Sequence, residues 1–139
     1  MNHWLFKSEP DVWGWDHQVA KGDEGEEWHG VRNYQARNNM RAMKVGDRGF
    51  FYHSNIGKEV VGIVEVCRES QPDSTTDDPR WDCVWIKAVK PLKRAITLDE
   101  CKVIPGLEKM VLVNNTRLSV QPVSAEEWAI ICRLGGVEP

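Results

Sequence analysis

No run of apolar residues in this 139-residue chain approaches the roughly 20 that a membrane-spanning helix needs. The start, MNHWLFKSEP, holds a short apolar stretch broken at Lys7, with neither a basic leader nor a small-residue cleavage site. A secretory signal is therefore not expected, and the cell interior is: the cytoplasm, or the nucleus if the source is eukaryotic. Cysteine is sparse and scattered. Cys67, Cys83, Cys101 and Cys132 contain no CxxC pair, so neither a disulfide framework nor a metal site is expected, although Cys67 and Cys83 are candidates for cross-strand neighbours. Buried thiols behaving as small hydrophobes account for them. Catalytic signatures are missing too: no HExxH, GxSxG, P-loop or GxGxxG pattern occurs, and His3, His17, His29 and His53 fall on different expected elements. Ser54 adjoins His53, but adjacent residues on a strand point to opposite faces and cannot readily share a proton. Glu9 and Asp11 read as acids attracted to a helix start rather than as a catalytic pair. There are no internal repeats or low-complexity tracts, and no strong positive charge: the net is −3, which excludes gripping long nucleic acid by overall charge.

What is present is an ordinary globular composition, 41% hydrophobic and 28% charged, at a length that suits a single domain over residues 1–139. Charge is unevenly spread. Val31 to Lys58 carries six basic residues against Asp47 alone, while Glu9–Glu27 carries seven acids against Lys21 and Glu69–Asp82 five against Arg80. A basic patch framed by acid can steer a short polyanion to one spot; a solvated helix face is the plainer alternative.

His3 to Lys7 reads as a strand, followed by a short helix with Ser8 as its cap and Pro10 in its first turn. KGDEGEEWHG reads as a surface loop. A helix is expected over Tyr34 to Met43, with Gly46 as a stop, then a strand through GFFYHS. Strong strand signals occupy Glu59–Glu69 and Asp82–Val89, separated by the turn-forming SQPDSTTDDPRW. VVGIVEV does not alternate, which fits a strand covered on both faces, and Gly62 within it suggests a bend or close backbone approach. Thr97 opens a capping box before a short helix ending by Pro105; LSVQPV reads as a strand; Ser124 and Glu127 box the last helix, striped by Trp128, Ile131 and Cys132 and closed by Gly135-Gly136. With about five strands among short helices and no βαβ rhythm, the expected architecture is a mixed, barrel-centred α+β domain.

Seven tryptophans mark the chain. Trp4, Trp85 and Trp128 suit core positions, whereas Trp13, Trp15, Trp28 and Trp81 sit in or beside polar loops. Loop aromatics beside donors and acceptors suit a flat heterocycle, since stacking on a base contributes about 1–3 kcal/mol; lidding the barrel ends is the alternative. WHGVRNYQARNNMRAM packs Arg32, Asn33, Tyr34, Gln35, Arg37, Asn38 and Asn39 into eight positions, a density that implies a polar network or a waiting ligand. Asn and Gln offer a donor and an acceptor to a base edge, and Arg suits phosphate. FYHSNIGKE forms a second polar cluster. The Trp28–Asn55 segment is thus the expected source of most of a nucleobase pocket.

WLFKSEP, WHGVRNYQARNNMRAMKVGD, FFYHSN with GKEVVGIVEV, DPRW and RLSVQPVSAEEW also resemble the EVE domain, a branch of the PUA-like superfamily, over Trp4 to Trp128. An acidic stretch at Gly22–Glu27 and a cysteine-bearing strand at Asp82–Trp85 depart from that pattern without touching its motifs. The resemblance implies a PUA-like mixed β-barrel of five to six strands with short helices around it, and a cleft that accepts an extruded base, reading modified bases such as methylated or hydroxymethylated cytosine in DNA or RNA. Carried over by position, the base pocket would use Lys7, Ser8, Glu9, Pro10, Trp13, Arg32, Asn33, Tyr34, Gln35, Tyr52, His53, Ser54, Asn55, Trp81, Arg117, Leu118 and Ser119. Trp13 or Tyr34 would stack, Ser54 and Asn55 with Glu9 would read the base edge, and Arg32, Arg37, Arg41 and Lys58 would meet phosphate. A non-catalytic monomer without cofactor, metal or membrane partner is expected. Two other classes stay open: an enzyme on modified nucleosides or nucleotides with His53 or Glu9 as acid-base group, and a protein-interaction module using the Trp-rich loops.

Overall fold

The computed structural model describes residues 1–115 and 117–139. Its strands are β1 (His3–Ser8), β2 (Glu26–Glu27), β3 (Arg48–His53), β4 (Glu59–Pro72), β5 (Asp82–Thr97) and β6 (Val120–Val123). Helices α1 (Pro10–Trp13), α2 (Trp15–Ala20), α3 (Tyr34–Ala42), α4 (Leu98–Val103), α5 (Val111–Asn114) and α6 (Ala125–Leu134) surround them, with a short 3₁₀ turn at Gly22–Glu24. The strands form one sheet in the order β2-β5-β4-β3-β1-β6, antiparallel except for β1 and β3. That parallel pair sets Lys7 opposite Tyr52 and Ser8 opposite His53, so the chain leaves both strands at the same end of the sheet.

Both faces of the sheet are buried. On one, Leu5, Phe50, Tyr52, Ile63 and Ile96 pack with Met110 and with Trp128, Ile131 and Cys132 of α6; on the other, Trp4, Phe6, Phe51, Val64 and Ile86 pack with Ala36 and Met40 of α3. Alternating side chains serve the two cores, which is why β1 and β3 read as continuous apolar runs. The sheet also curls: Phe6 meets Trp28, just past β2, edge to face at 5.4 Å, and Trp28 meets Phe51 at 5.8 Å. The domain is therefore α+β and barrel-like, as expected.

Local signals place the helices. Thr97 and Glu100 form a reciprocal cap on α4, Ser124 and Glu127 do so on α6, and Asn33 accepts the Ala36 N–H at the start of α3. Three expectations change. Ser8 does not cap α1; its hydroxyl donates to the Trp13 carbonyl at 2.6 Å and closes that helix from its far end. The acidic loop contributes β2, because Gly25, at φ 75, passes so close to Ile86 that a Cβ there would lie 2.6 Å from its carbonyl oxygen. β4 and β5 are longer than their apolar cores, pairing to Pro72–Asp82 through several register shifts, and those shifts set Cys83 opposite Gln71 rather than beside Cys67. All four cysteines are free thiols.

Gly62 gives the close approach foreseen. A Cβ at this position would stand 2.4 Å from the Trp15 ring, so the indole is packed directly on the β4 backbone. Gly62→Ala should destabilise the fold by about 1–3 kcal/mol, the usual penalty of overpacking, measured by urea unfolding. An unchanged midpoint would show that the indole yields freely.

Candidate nucleic-acid interface

A cleft of about 510 Å³, inside the roughly 300–1,000 Å³ usual for small-ligand sites, opens where the end of β1 faces the chain leaving β2. Its walls are Lys7–Glu9, Val12 and Trp13 on one side, Glu26–Arg32 on the other, and Ser119 ahead of β6. The Lys7 N–H donates to the Ser119 carbonyl at 2.9 Å, which joins the β6 approach to β1.

Trp13 is the fixed aromatic of this cleft. Its ring stacks on His17 at 5.3 Å and 22°, and its Nε1–H donates to Gln18 Oε1 at 3.0 Å. Gln18 is fully buried and its own amide donates to the Ile86 carbonyl at 2.9 Å, so the indole is tied through it to β5. His17 Nδ1 is held by the Gly14 N–H at 2.8 Å.

The opposite wall hangs on Asp73, which is buried. Its Oδ1 accepts from the Thr75 N–H and hydroxyl, and its Oδ2 from the Gly30 N–H at 2.8 Å and Arg32 Nη1 at 3.2 Å. Burial alone would raise the Asp73 carboxyl, but these bonds, Thr75's first, outweigh it and hold the group at about 2. Glu27, also buried, accepts a hydrogen bond from the Ser74 hydroxyl. Glu27, Asp73 and Cys83 bring ligand atoms within 4.8 Å of one another. A cation there would have to displace the donors already on Asp73, and burial pushes the Cys83 thiol up to about 12, so this trio is not an open metal centre.

The expected site residues separate into groups. Lys7, Ser8, Glu9, Trp13, Arg32 and Ser119 come together on the cleft wall. Pro10 starts α1 beside it, and Asn33 is spent as the α3 cap. Gln35 is exposed on α3. Tyr34 and Trp81 stack on each other at 5.0 Å, with the Arg37 guanidinium 4.9 Å from the Tyr34 ring and Arg32 5.6 Å from Trp81. Tyr52 and Leu118 are core residues instead of pocket residues, 3% and 2% exposed, and burial pushes the Tyr52 phenol up to about 12. The plain alternation of β3 decides the Tyr52 face, since Phe50 and Tyr52 share one core and Phe51 takes the other.

His53 turns to α2, its Nε2 accepting the Trp15 N–H at 3.0 Å. The Ser54 N–H donates to the Ser8 carbonyl, and Asn55, at φ 68, forms the exposed turn behind β1. Arg117 is exposed, with its N–H on Asn115 Oδ1. The Trp28–Asn55 segment thus supplies only its first five residues to the wall. Trp28, one of the loop aromatics, also lines the cleft, as do Val12, Glu26, Glu27, His29, Gly30 and Val31, which carry no individual signal in the sequence. Trp28 and His29 open the motif WHGVRNYQARNNMRAM, but the two glutamates read as loop acids.

Three of the six basic residues of the patch are paired with carboxylates, two of them from the acidic stretch folding over it. Arg32 pairs with Asp73 at 3.2 Å, Arg41 with Asp82 at 2.6 Å and Arg48 with Glu65 at 3.3 Å. Arg37 instead donates to Asn38 Oδ1 and the Arg80 carbonyl and keeps its net charge. Lys58, at φ 49, is exposed in the turn before β4. A second cavity, of about 550 Å³, lies among Lys90, Lys93, Arg133 and Gly136–Pro139, with no aromatic side chain in its wall.

The sequence pattern of the EVE domain matches residues 2–134. The chain belongs to the EVE domain family. Among solved structures, this EVE domain is similar to a protein from Agrobacterium tumefaciens at 62% identity and a TM-score of 0.97, over 99% of this chain and 94% of that one. It is also similar to human THYN1 protein, seen in complex with DNA containing 5-methylcytosine, at 35% identity and a TM-score of 0.89 over the whole of both chains. Mouse thymocyte nuclear protein 1 is 36% identical across 99% of this chain and 75% of its own length. Among the described residues of this EVE domain, no helix is long and apolar enough to cross a membrane.

His53 supplies a pH test of the loop that carries Trp13. Burial lowers its pKa, so its neutral, hydrogen-bond-accepting form is favoured in the fold. The unfolded chain then binds the proton first, and stability present above about pH 6.5 is lost as pH falls below it. His3 is shifted the same way by burial and the N-terminus. Urea midpoints should fall between about pH 7.5 and pH 5.5, and fall less in His53→Gln; an identical fall would contradict the role given to His53.

Proposed function

We propose that this EVE domain is a non-catalytic reader that binds DNA or RNA carrying a modified base, such as methylated or hydroxymethylated cytosine, and holds that base in the Trp13 cleft. The observation that carries this is the indole of Trp13, fixed by His17 and Gln18 on the wall of a cleft that also holds Lys7, Glu9, Glu27 and Arg32. A flat ring can stack there while the polar groups meet its edge. Human THYN1's complex with 5-methylcytosine DNA is the comparison that points to the same ligand class. Lifting a base from a duplex costs a few kcal/mol, and stacking at about 1–3 kcal/mol returns much of it, with single strands or mismatched sites the easier substrates.

Phosphate contacts are few in this reading. Arg37 is the favoured one because no carboxylate among the described residues pairs with it, while Arg32 and Arg41 share their charge with Asp73 and Asp82 and Lys58 stands on a separate turn. Acid-base chemistry is not assigned to His53, whose ring nitrogen already accepts the Trp15 N–H.

Titration with short single strands bearing cytosine, 5-methylcytosine or 5-hydroxymethylcytosine, read by tryptophan fluorescence, tests the proposal. Binding should favour a modified strand and leave the strand chemically unchanged by mass spectrometry. Trp13→Ala should cost about 1–3 kcal/mol of affinity. Arg37→Gln should lower the slope of log affinity against log salt by about 0.7–0.9, one phosphate's worth. Absence of quenching, or a steep salt slope with indifference to modification, would overturn it.

A further inference from the structure

We infer that Glu27 selects bases with an exocyclic amino group of the cytosine type and rejects the thymine or uracil edge. This rests on the base-capture reading above and names the group that sets its specificity. Glu27 lines the cleft, yet it is only 8% exposed. β2 fixes it by pairing it with Trp85, and its Oε1 is held from behind by the Ser74 hydroxyl. Among the described residues no cation pairs with it.

A carboxylate offers about four acceptor sites, and the one hydroxyl leaves some of them open. Asp73, its neighbour, has no such capacity, because four donors already fill its oxygens. A buried carboxylate is stable only when its remaining lone pairs are met, so an N–H donor from a ligand is the complement the cleft wall is built to receive. Position 4 of the pyrimidine ring decides who can supply it: cytosine presents an amino donor there, thymine and uracil a carbonyl acceptor. Against a fixed anion the first gains a charge-assisted hydrogen bond, and the second meets repulsion.

5-Methylcytosine and thymine carry the same methyl group and differ at this edge, so pentanucleotides with one or the other at the centre isolate the effect. Wild-type protein should prefer the 5-methylcytosine strand by about tenfold or more, and Glu27→Gln, whose amide can donate to the thymine carbonyl, should bring the ratio below about threefold. Equal affinity of the wild type for the two strands, or an undiminished ratio in folded Glu27→Gln, overturns the assignment. Should Glu27→Gln fail to fold, the wild type decides the matter with a strand carrying N4,N4-dimethyl-5-methylcytosine, which has no N–H to give. A loss of about tenfold supports Glu27, and unchanged affinity overturns it. Binding of neither pentanucleotide by wild-type protein would instead overturn base capture itself, and the Glu27 assignment with it.

Discussion

A sheet buried on both faces has nowhere along its strands to keep polar chemistry. Leu5 and Phe6 face opposite cores, as do Phe50 and Phe51, and Ile63 and Val64, by the alternation of each strand. Polar groups must then collect where strands end, and here the ends that matter are brought together by one parallel pairing. β1 and β3 leave the sheet side by side, β6 enters beside β1, and the curl that brings Trp28 onto Phe6 and Phe51 carries the chain after β2 to the same place. The cleft is the consequence of that packing.

Within it, the two walls are stiffened differently. The Trp13 wall is held by neutral hydrogen bonds relayed through Gln18 to the β5 backbone, while the Gly30–Arg32 wall is held by the ionised Asp73. The acidic stretch around Asp73 therefore does two jobs. It shapes the cleft, and it removes most of the charge from the arginines of α3 and its approach. In the proposed reading affinity then comes chiefly from the base in the cleft, which suits a protein that discriminates one base over one that coats a polyanion.

Elements whose signals are local were legible in the sequence. The caps at Thr97 and Ser124, the α3 periodicity and the strand-rich runs all depend on residues a few positions apart. β2 was not legible, because Glu26 and Glu27 are a strand only by virtue of Ile86 and Trp85, some 60 residues away. The site divides along the same line. Lys7, Ser8, Glu9, Trp13, Arg32 and Ser119, carried over from the family motifs, do lie together on the cleft wall, but motif membership does not say which face a residue takes. Tyr52 and Leu118 went to the core, Asn33 to a helix cap and His53 to Trp15. Glu27 carried no signal: an acid in a run of acids reads as surface until the sheet edge buries it.

The most direct test of base capture is to map the contact on the folded protein by ¹H–¹⁵N NMR, titrating ¹⁵N-labelled chain with a short single strand that contains 5-methylcytosine. Captured base in the cleft predicts the largest shifts at the Trp13 indole N–H and the backbone amides of Gly30, Arg32 and Ser119, with the amides around Lys93 and Gly136 at the second cavity unmoved. Shifts centred on that second cavity, or on the Tyr34–Trp81 stack with Trp13 silent, would contradict the account.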